Sequence, residues 1–253
     1  MIRRQKLTNL LNTLLEPHAI KDYCPNGLQV EGRDEIRKIV TGVTASQALL
    51  DAAVAQGADA ILVHHGYFWK GESEVITGMK QRRLKTLLSH DINLFAYHLP
   101  LDVHPELGNN AQLARLLDIQ VRRGLEPWDK KSVAMVGKLA EPMSGEALAA
   151  RIGERLGRTP LHCGESGPAL IETVAWCTGG GQSYITLAAE QGIDAFISGE
   201  ASEQTIHTAR EMGMHFFAAG HHATERYGVK ALGEWLAAEH GLEVIFVDID
   251  NPV

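Results

Sequence analysis

A set of histidine and acidic residues in this sequence has the composition of a metal site. The set is His64, His65, His98, Asp102, Glu200, His221 and Glu225. Imidazole and carboxylate ligands without a thiolate are typical of sites for zinc, iron, manganese or nickel. A carboxylate can bridge two such ions, and an ion pair about 3.5–4 Å apart can activate one water molecule. The residue types therefore predict a dinuclear site for two divalent metal ions that performs hydrolysis.

The spacing of two histidine–carboxylate pairs supports this prediction. Glu225 follows His221 by four residues, where a strand is expected to end and a helix to begin. Side chains four residues apart lie on one face of a helix, so both ligands can reach one point. Asp102 follows His98 by the same interval, but Pro100 is expected to bar a regular helix there. We expect this second pair to converge through a turn.

Short apolar strands alternate with amphipathic helices along the chain. Strands are predicted over 38–44, 58–63, 92–97, 131–139, 172–177, 194–198, 215–219 and within 242–249. Helices are predicted over 4–16, from an N-cap at 46 to 55, and over 79–89, 145–156 and 203–212, with further helices that begin near 109, after 181 and after 220. This alternation is typical of α/β proteins with mostly parallel sheets flanked by helices. Ligands bind beyond the carboxyl ends of such strands. The candidate metal ligands fall at these ends.

An internal repeat indicates two α/β units of similar design. Residues 52–60 (AAVAQGADA) match residues 187–195 (LAAEQGIDA) at five of nine positions. The same offset of 135 residues places His65 opposite Glu200. A later offset of 123 residues places the first histidine–carboxylate pair opposite the second. We therefore expect the polar residues of each unit to lie at the ends of equivalent strands.

The boundary between the two units is expected in the turn-rich stretch 120–130. The first unit then covers residues 1–125 and carries His64, His65 and Asp102, and the second covers 126–253 with His221 and Glu225. The C-terminal strand could return to the sheet of the first unit.

Charge and composition exclude several classes of protein. The chain has 24 basic and 31 acidic residues, a net charge of −7, which argues against non-specific binding to nucleic acid or membranes. Cys24, Cys163 and Cys177 form no close pair, so the sequence supports neither a disulfide framework nor a cysteine zinc site. No apolar run reaches membrane length, and the first residues do not have the pattern of a signal peptide. We expect a cytoplasmic protein.

Several ordered motifs resemble those of the type 2 GTP cyclohydrolase I family, also described as Nif-three-like dinuclear metal proteins. The motifs are PNGLQ (25–29), TGV (41–43), HHG (64–66), YHLPLD (97–102), GNN (108–110), CTGGG (177–181), SGE (198–200) and GHHATE (220–225). They span nearly the whole chain, and its length matches the short bacterial branch of the family. The resemblance implies the Nif-three-like fold and a toroidal homohexamer.

The resemblance also assigns the metal ligands. By this resemblance the ligands are His64, His65, Asp102, His221 and Glu225, and Glu225 bridges the two ions. Glu200 and His98 are our candidates for catalytic residues, as a general base and a proton carrier. Their alternatives are a carboxylate at a helix start and a plain strand-end histidine. Many relatives have a histidine soon after the SGE motif, whereas this chain has Ser202-Glu203-Gln204 there, which bears on the choice of substrate.

Two further motifs leave alternatives open. The run Gly179–Gly181 could offer backbone N–H groups to a phosphate or form only a tight turn. The segment Tyr67–Lys70 follows the paired histidines, and its aromatic rings could stack on a base while Lys70 meets a phosphate. The same rings could instead pack between subunits.

These observations predict a metal-dependent hydrolase whose substrate is a small molecule such as a nucleotide. If the family name applies literally, water adds at C8 of the guanine ring of GTP, and the ring opens with loss of formate. A nucleotide phosphohydrolase would use the same two ions. The non-enzymatic alternative is a metal-binding hexamer that serves as a metal store, a metal chaperone or a platform for partners.

Overall fold

The computed structural model describes residues 1–253, which form two compact units. Unit 1 comprises residues 1–108 and 228–250, and unit 2 comprises residues 109–227 and 251–253. The helices are α1 (Arg4–Leu15), α2 (Gln47–Ala55), α3 (Gly78–Ser89), α4 (Leu99–Asp102), α5 (Asn109–Leu116), α6 (Gly145–Leu156), α7 (Ile185–Glu190), α8 (Glu203–Met212) and α9 (His221–His240). The strands are β1 (Ile2–Arg3), β2 (Gly27–Val30), β3 (Glu35–Ile36), β4 (Lys38–Thr44), β5 (Ala60–His65), β6 (Asn93–Ala96), β7 (Ile119–Gly124), β8 (Met135–Met143), β9 (Leu161–Cys163), β10 (Ile171–Cys177), β11 (Ala195–Ser198), β12 (His215–Ala218) and β13 (Glu243–Phe246). The predicted α/β fold class is confirmed.

Unit 1 is built on a five-stranded sheet in the order β13-β4-β5-β6-β2. The first four strands are parallel to their neighbours, and β2 is antiparallel to β6. Apolar side chains of β4 and β5 enter two hydrophobic clusters, as expected for strands covered on both faces. The C-terminal strand β13 therefore lies in the sheet of unit 1.

Unit 2 is built on a six-stranded sheet in the order β7-β8-β10-β11-β12-β9. Its central strands β10, β11 and β12 are parallel, and the outer strands pair antiparallel. The stretch expected to be a boundary contributes β7, which pairs with β8. The chain instead passes between units after residue 108 and again within α9 after residue 227.

The repeated sequence has the same local structure in both units. Gly57 and Gly192 follow helices α2 and α7 and have positive φ angles of 63° and 68°, which favour glycine. The Asp59 carboxylate then accepts hydrogen bonds at 2.8 and 3.0 Å from two backbone N–H groups at the start of β4. The Asp194 carboxylate does the same at the start of β10, at 3.0 and 2.8 Å. In both units the glycine thus ends the helix, and the aspartate before the next strand bonds the backbone of the neighbouring strand.

No helix of the chain combines the length and apolar character needed to span a membrane.

Candidate metal centre

Three imidazole rings of unit 1 lie together at the carboxyl ends of β5 and β6. His64 and His65 end β5, and His98 follows β6. Their ring centroids are 4.5 Å (His64–His65), 5.0 Å (His64–His98) and 5.8 Å (His65–His98) apart. One ring nitrogen from each residue lies within 4.8 Å of the other two. The structure therefore brings these three predicted site residues together.

Each of these imidazoles is oriented by a hydrogen bond at Nδ1. The partners are the Tyr97 carbonyl oxygen for His64 (3.0 Å), Thr44 Oγ1 for His65 (3.0 Å) and Asp22 Oδ1 for His98 (2.7 Å). An outer hydrogen bond at one ring nitrogen is typical of metal-binding histidines, because it sets the tautomer and the direction of the other nitrogen. The cluster is therefore organised to present Nε2 atoms to a ligand.

Asp102 is buried beside His64, with Oδ1 3.6 Å from Nε2 of that histidine. It lies in α4, a helix of one turn, so the expectation that Pro100 bars a helix is wrong. Pro100 occupies the first turn, where a backbone N–H has no partner within a helix and its loss costs little. The interval in unit 1 thus consists of His98, which has a non-helical backbone conformation, followed by one helical turn that ends at Asp102.

Asp22 is a site residue that no sequence motif singled out. Its carboxylate accepts hydrogen bonds from His98 Nδ1, from Asn26 Nδ2 at 2.8 Å and from the backbone N–H of Leu99 at 3.0 Å. Burial raises the pKa of Asp22, but the hydrogen bonds from His98 and Asn26 outweigh it and lower the pKa to about 2. Asp22 is therefore ionised at neutral pH and holds the His98 ring. No local motif links residues 76 positions apart in the chain.

The aromatic segment after the paired histidines divides into residues with different environments. Tyr67 is buried, and its hydroxyl donates to the Ala45 carbonyl at 2.8 Å, so of the two alternatives for this segment, stacking on a base does not apply to Tyr67. Trp69 contacts the imidazole cluster, with its ring 4.9 Å from that of His98 and nearly perpendicular to it. Phe68 is partly exposed, and Lys80 Nζ lies 5.1 Å from the centre of its ring.

In unit 2, the predicted pair on one helical face is present at the start of α9. His221 Nε2 lies 3.2 Å from Glu225 Oε2, and His221 Nδ1 lies 2.6 Å from Glu200 Oε1. Burial alone lowers the pKa of His221, but hydrogen bonding and charge interactions with Glu225 and Glu200 raise the pKa to about 9. The imidazole is therefore charged at neutral pH in the metal-free protein and lies between two carboxylates.

The glycine run 179–181 provides space for this pair. Gly179 has a φ of 63°, and a Cβ atom there would overlap Glu225 Oε1 and lie 3.0 Å from His221 Nε2. Its backbone N–H donates to Thr224 Oγ1 at 3.0 Å. This hydrogen bond and the close approach favour the tight-turn interpretation for Gly179 over phosphate binding.

Replacement of Gly179 by alanine is expected to lower the free energy of unfolding by about 3 kcal/mol, because left-handed strain adds to a forced displacement of Glu225. Gly192→Ala is the matched control, since Gly192 has φ 68° and no atom within 4 Å of its Cβ position. Strain alone predicts a loss of about 1 kcal/mol there. Urea denaturation of both variants makes the comparison, and equal losses would contradict the role of Gly179.

The five predicted ligands form two half-sites. The unit 1 half-site consists of His64, His65 and Asp102, and the unit 2 half-site of His221 and Glu225. His64 is fully buried, and the two carboxylates are 7% and 3% exposed. Buried carboxylates are costly unless they are paired or coordinate a metal. The chemistry and burial of these donors therefore fit a borderline divalent ion.

Comparisons with known proteins identify relatives over the full length. The family described as Duf34/NIF3 (NGG1p interacting factor 3) matches residues 2–252. The GTP cyclohydrolase 1 type 2 homolog of Vibrio cholerae serotype O1 is 64% identical over 249 residues, which are 98% of each chain. The solved structure of the protein ybgI, of unknown function, has a TM-score of 0.96 at 62% identity over 100% of both chains. The structure of TTHA1606 from Thermus thermophilus has a TM-score of 0.89 at 36% identity over 100% of both chains.

Proposed function

Because the chain belongs to the Duf34/NIF3 family, with relatives named GTP cyclohydrolase 1 type 2 homolog, we propose that it is a metal-dependent hydrolase acting on a nucleotide or a related heterocycle. Family membership confirms the resemblance seen in the sequence motifs. The observation that carries the proposal is the grouping, within each unit, of imidazole donors with a buried carboxylate. In this proposal His64, His65, Asp102, His221 and Glu225 hold two divalent ions.

When bound, divalent ions lower the pKa of water from 15.7 to about 7 and so supply a nucleophile at neutral pH. The protein's own groups then act as orienting residues. Glu200 receives the Nδ1–H of His221, which directs Nε2 of that ring toward the ligand position. Asp22 does the same for His98.

The catalytic roles of Glu200 and His98 stay predictions. Glu200 is 37% exposed at its side chain, so its carboxylate can also accept a proton from a reacting group. The His98 ring lies beside the rings of His64 and His65, and its Nδ1 is bonded to Asp22, so Nε2 is the nitrogen that can move a proton to or from a substrate. We expect replacement of either residue to reduce turnover while the protein still binds metal.

The test is mass spectrometry of a reaction mixture containing the metal-loaded protein and GTP. We expect formate loss or ring opening with the wild type and none with the Asp102→Ala variant. Release of phosphate instead would show that the protein is a nucleotide phosphohydrolase and not a cyclohydrolase. Unchanged GTP, followed by failure of a wider panel of nucleotides and heterocycles, would overturn the hydrolase and leave a metal store, chaperone or partner platform. The homohexamer stays a prediction that sedimentation can check.

A further inference from the structure

Unit 2 contains a polar cleft of about 400 Å³, a volume within the range of small-molecule binding sites. Seven of its nine lining residues carry an amide or hydroxyl side chain, and none is charged. They include Gln182, Thr186, Ser202, Gln204 and Thr208. The lining thus offers many hydrogen-bond donors and acceptors but no ionic partner for an anion.

Gly180 lies between this cleft and the unit 2 half-site. An atom at its Cβ position would be 3.9 Å from Gln182 Oε1 in the cleft. The same atom would be 3.9 Å from Glu200 Oε2 and 3.8 Å from His221 Cε1 in the site. Because glycine has no side chain, a ligand in the cleft can extend past Gly180 toward these two residues.

Gln182 provides an acceptor with no partner in the chain. Its Nε2 donates to Ser202 Oγ at 3.2 Å, whereas its Oε1 is buried and makes no hydrogen bond. A buried acceptor without a donor is costly. An N–H or O–H group of a bound ligand would satisfy it.

We propose that this cleft binds the uncharged part of the substrate, a nucleobase or nucleoside, and not the phosphates of a nucleotide. The inference rests on the proposed function and names the part of the substrate that the chain recognises. Amides and hydroxyls both donate and accept hydrogen bonds, and so do the edges of nucleobases.

Phosphate recognition would need different residues. Proteins bind phosphate with arginine, lysine or free N–H groups at a helix N-terminus. The cleft has no cation, and Glu203 in the first turn of α8 places a negative charge beside that helix start. Glu200 adds a second carboxylate beyond Gly180. The electrostatics therefore favour a neutral ligand over an anionic one.

Equilibrium dialysis of the full-length protein with labelled guanosine and labelled GTP tests this proposal, first on the protein as purified and then with EDTA present. We expect guanosine to bind in both conditions, and GTP to bind no more tightly than guanosine once EDTA is present. Gln182→Met keeps the side-chain length but removes the acceptor, and it should weaken guanosine binding about tenfold. The control is Gln120→Met, an exposed glutamine on β7 outside the cleft, which should change nothing.

Three results would overturn the proposal: no guanosine binding, GTP binding at least tenfold tighter than guanosine in EDTA, or unchanged binding in Gln182→Met. If that variant fails to fold, Gln204→Met, at an exposed cleft position, takes its place. The assay is separate from turnover. Guanosine binding without hydrolysis of any substrate would contradict only the proposed hydrolase function. Hydrolysis together with unchanged guanosine binding in the cleft variants would contradict only the proposed role of the cleft.

Discussion

Replacing Glu225 by alanine is expected to lower metal affinity at least about 100-fold while the fold is retained. Glu225 is 3% exposed and lies 3.2 Å from His221 Nε2, so its loss removes the anionic donor of the unit 2 half-site. Asp102→Ala should have a similar effect, because Asp102 is the anionic donor of the unit 1 half-site. Elemental analysis after dialysis measures the metal, and circular dichroism checks the fold.

The matched control is Glu234→Ala. Glu234 lies on α9 like Glu225, but its side chain is exposed, so its removal should leave the metal content unchanged. Full metal retention in both Asp102→Ala and Glu225→Ala would exclude the assigned ligands. The amount of metal that each single variant retains also tests the proposal that the five residues hold two ions per chain.

Metal affinity is expected to rise about tenfold per pH unit between pH 7 and 9 and to level off above pH 9. The pKa of His221 is about 9 in the metal-free protein, because Glu225 and Glu200 outweigh the effect of burial. The imidazole must lose its proton before Nε2 can bind a metal ion, so protons compete with metal at every pH below this pKa. Titration against a competing chelator from pH 6 to 10 measures the dependence.

A variant separates the effect of the raised His221 pKa from the titration of the other metal ligands. Glu200→Gln removes one charge that raises the pKa of His221, so the plateau should begin at lower pH. Glu190→Gln, an exposed glutamate on α7, is the control and should leave the profile unchanged. An affinity that is flat between pH 7 and 9 in the wild type would contradict the assignment of His221 as a ligand.

Local periodicity accounts for the elements that the sequence predicted well. Helices α6 and α8 span the predicted residues 145–156 and 203–212, and their apolar positions recur at helical spacing. Ser144 caps α6 by accepting from the Ala147 N–H at 3.3 Å, and Gly157 ends that helix in the left-handed conformation. Such signals depend on residues within a few positions of each other. They can therefore be recognised without knowledge of the fold.

Predictions failed where a distant partner changes a local preference. Pro25, Asn26 and Gly27 are residue types that favour turns, but Gly27 and Leu28 form strand β2 because they pair with β6. The stretch 120–130 was expected to divide the units, but its first residues belong to β7, which pairs with β8. Backbone hydrogen bonds to a neighbouring strand outweigh weak local propensities.

Residue types and short intervals were enough to select the histidines and carboxylates of the candidate site, because strand ends and one helical face are local features. Only the tertiary structure showed that Asp22 bonds His98 and which nitrogen of each ring is already hydrogen-bonded. It also showed that Glu225 occupies the space that a Cβ atom at Gly179 would need. These contacts join residues 21 to 76 positions apart in the chain. Their geometry results from the packing of several elements at once, and no pattern of neighbouring residues encodes it.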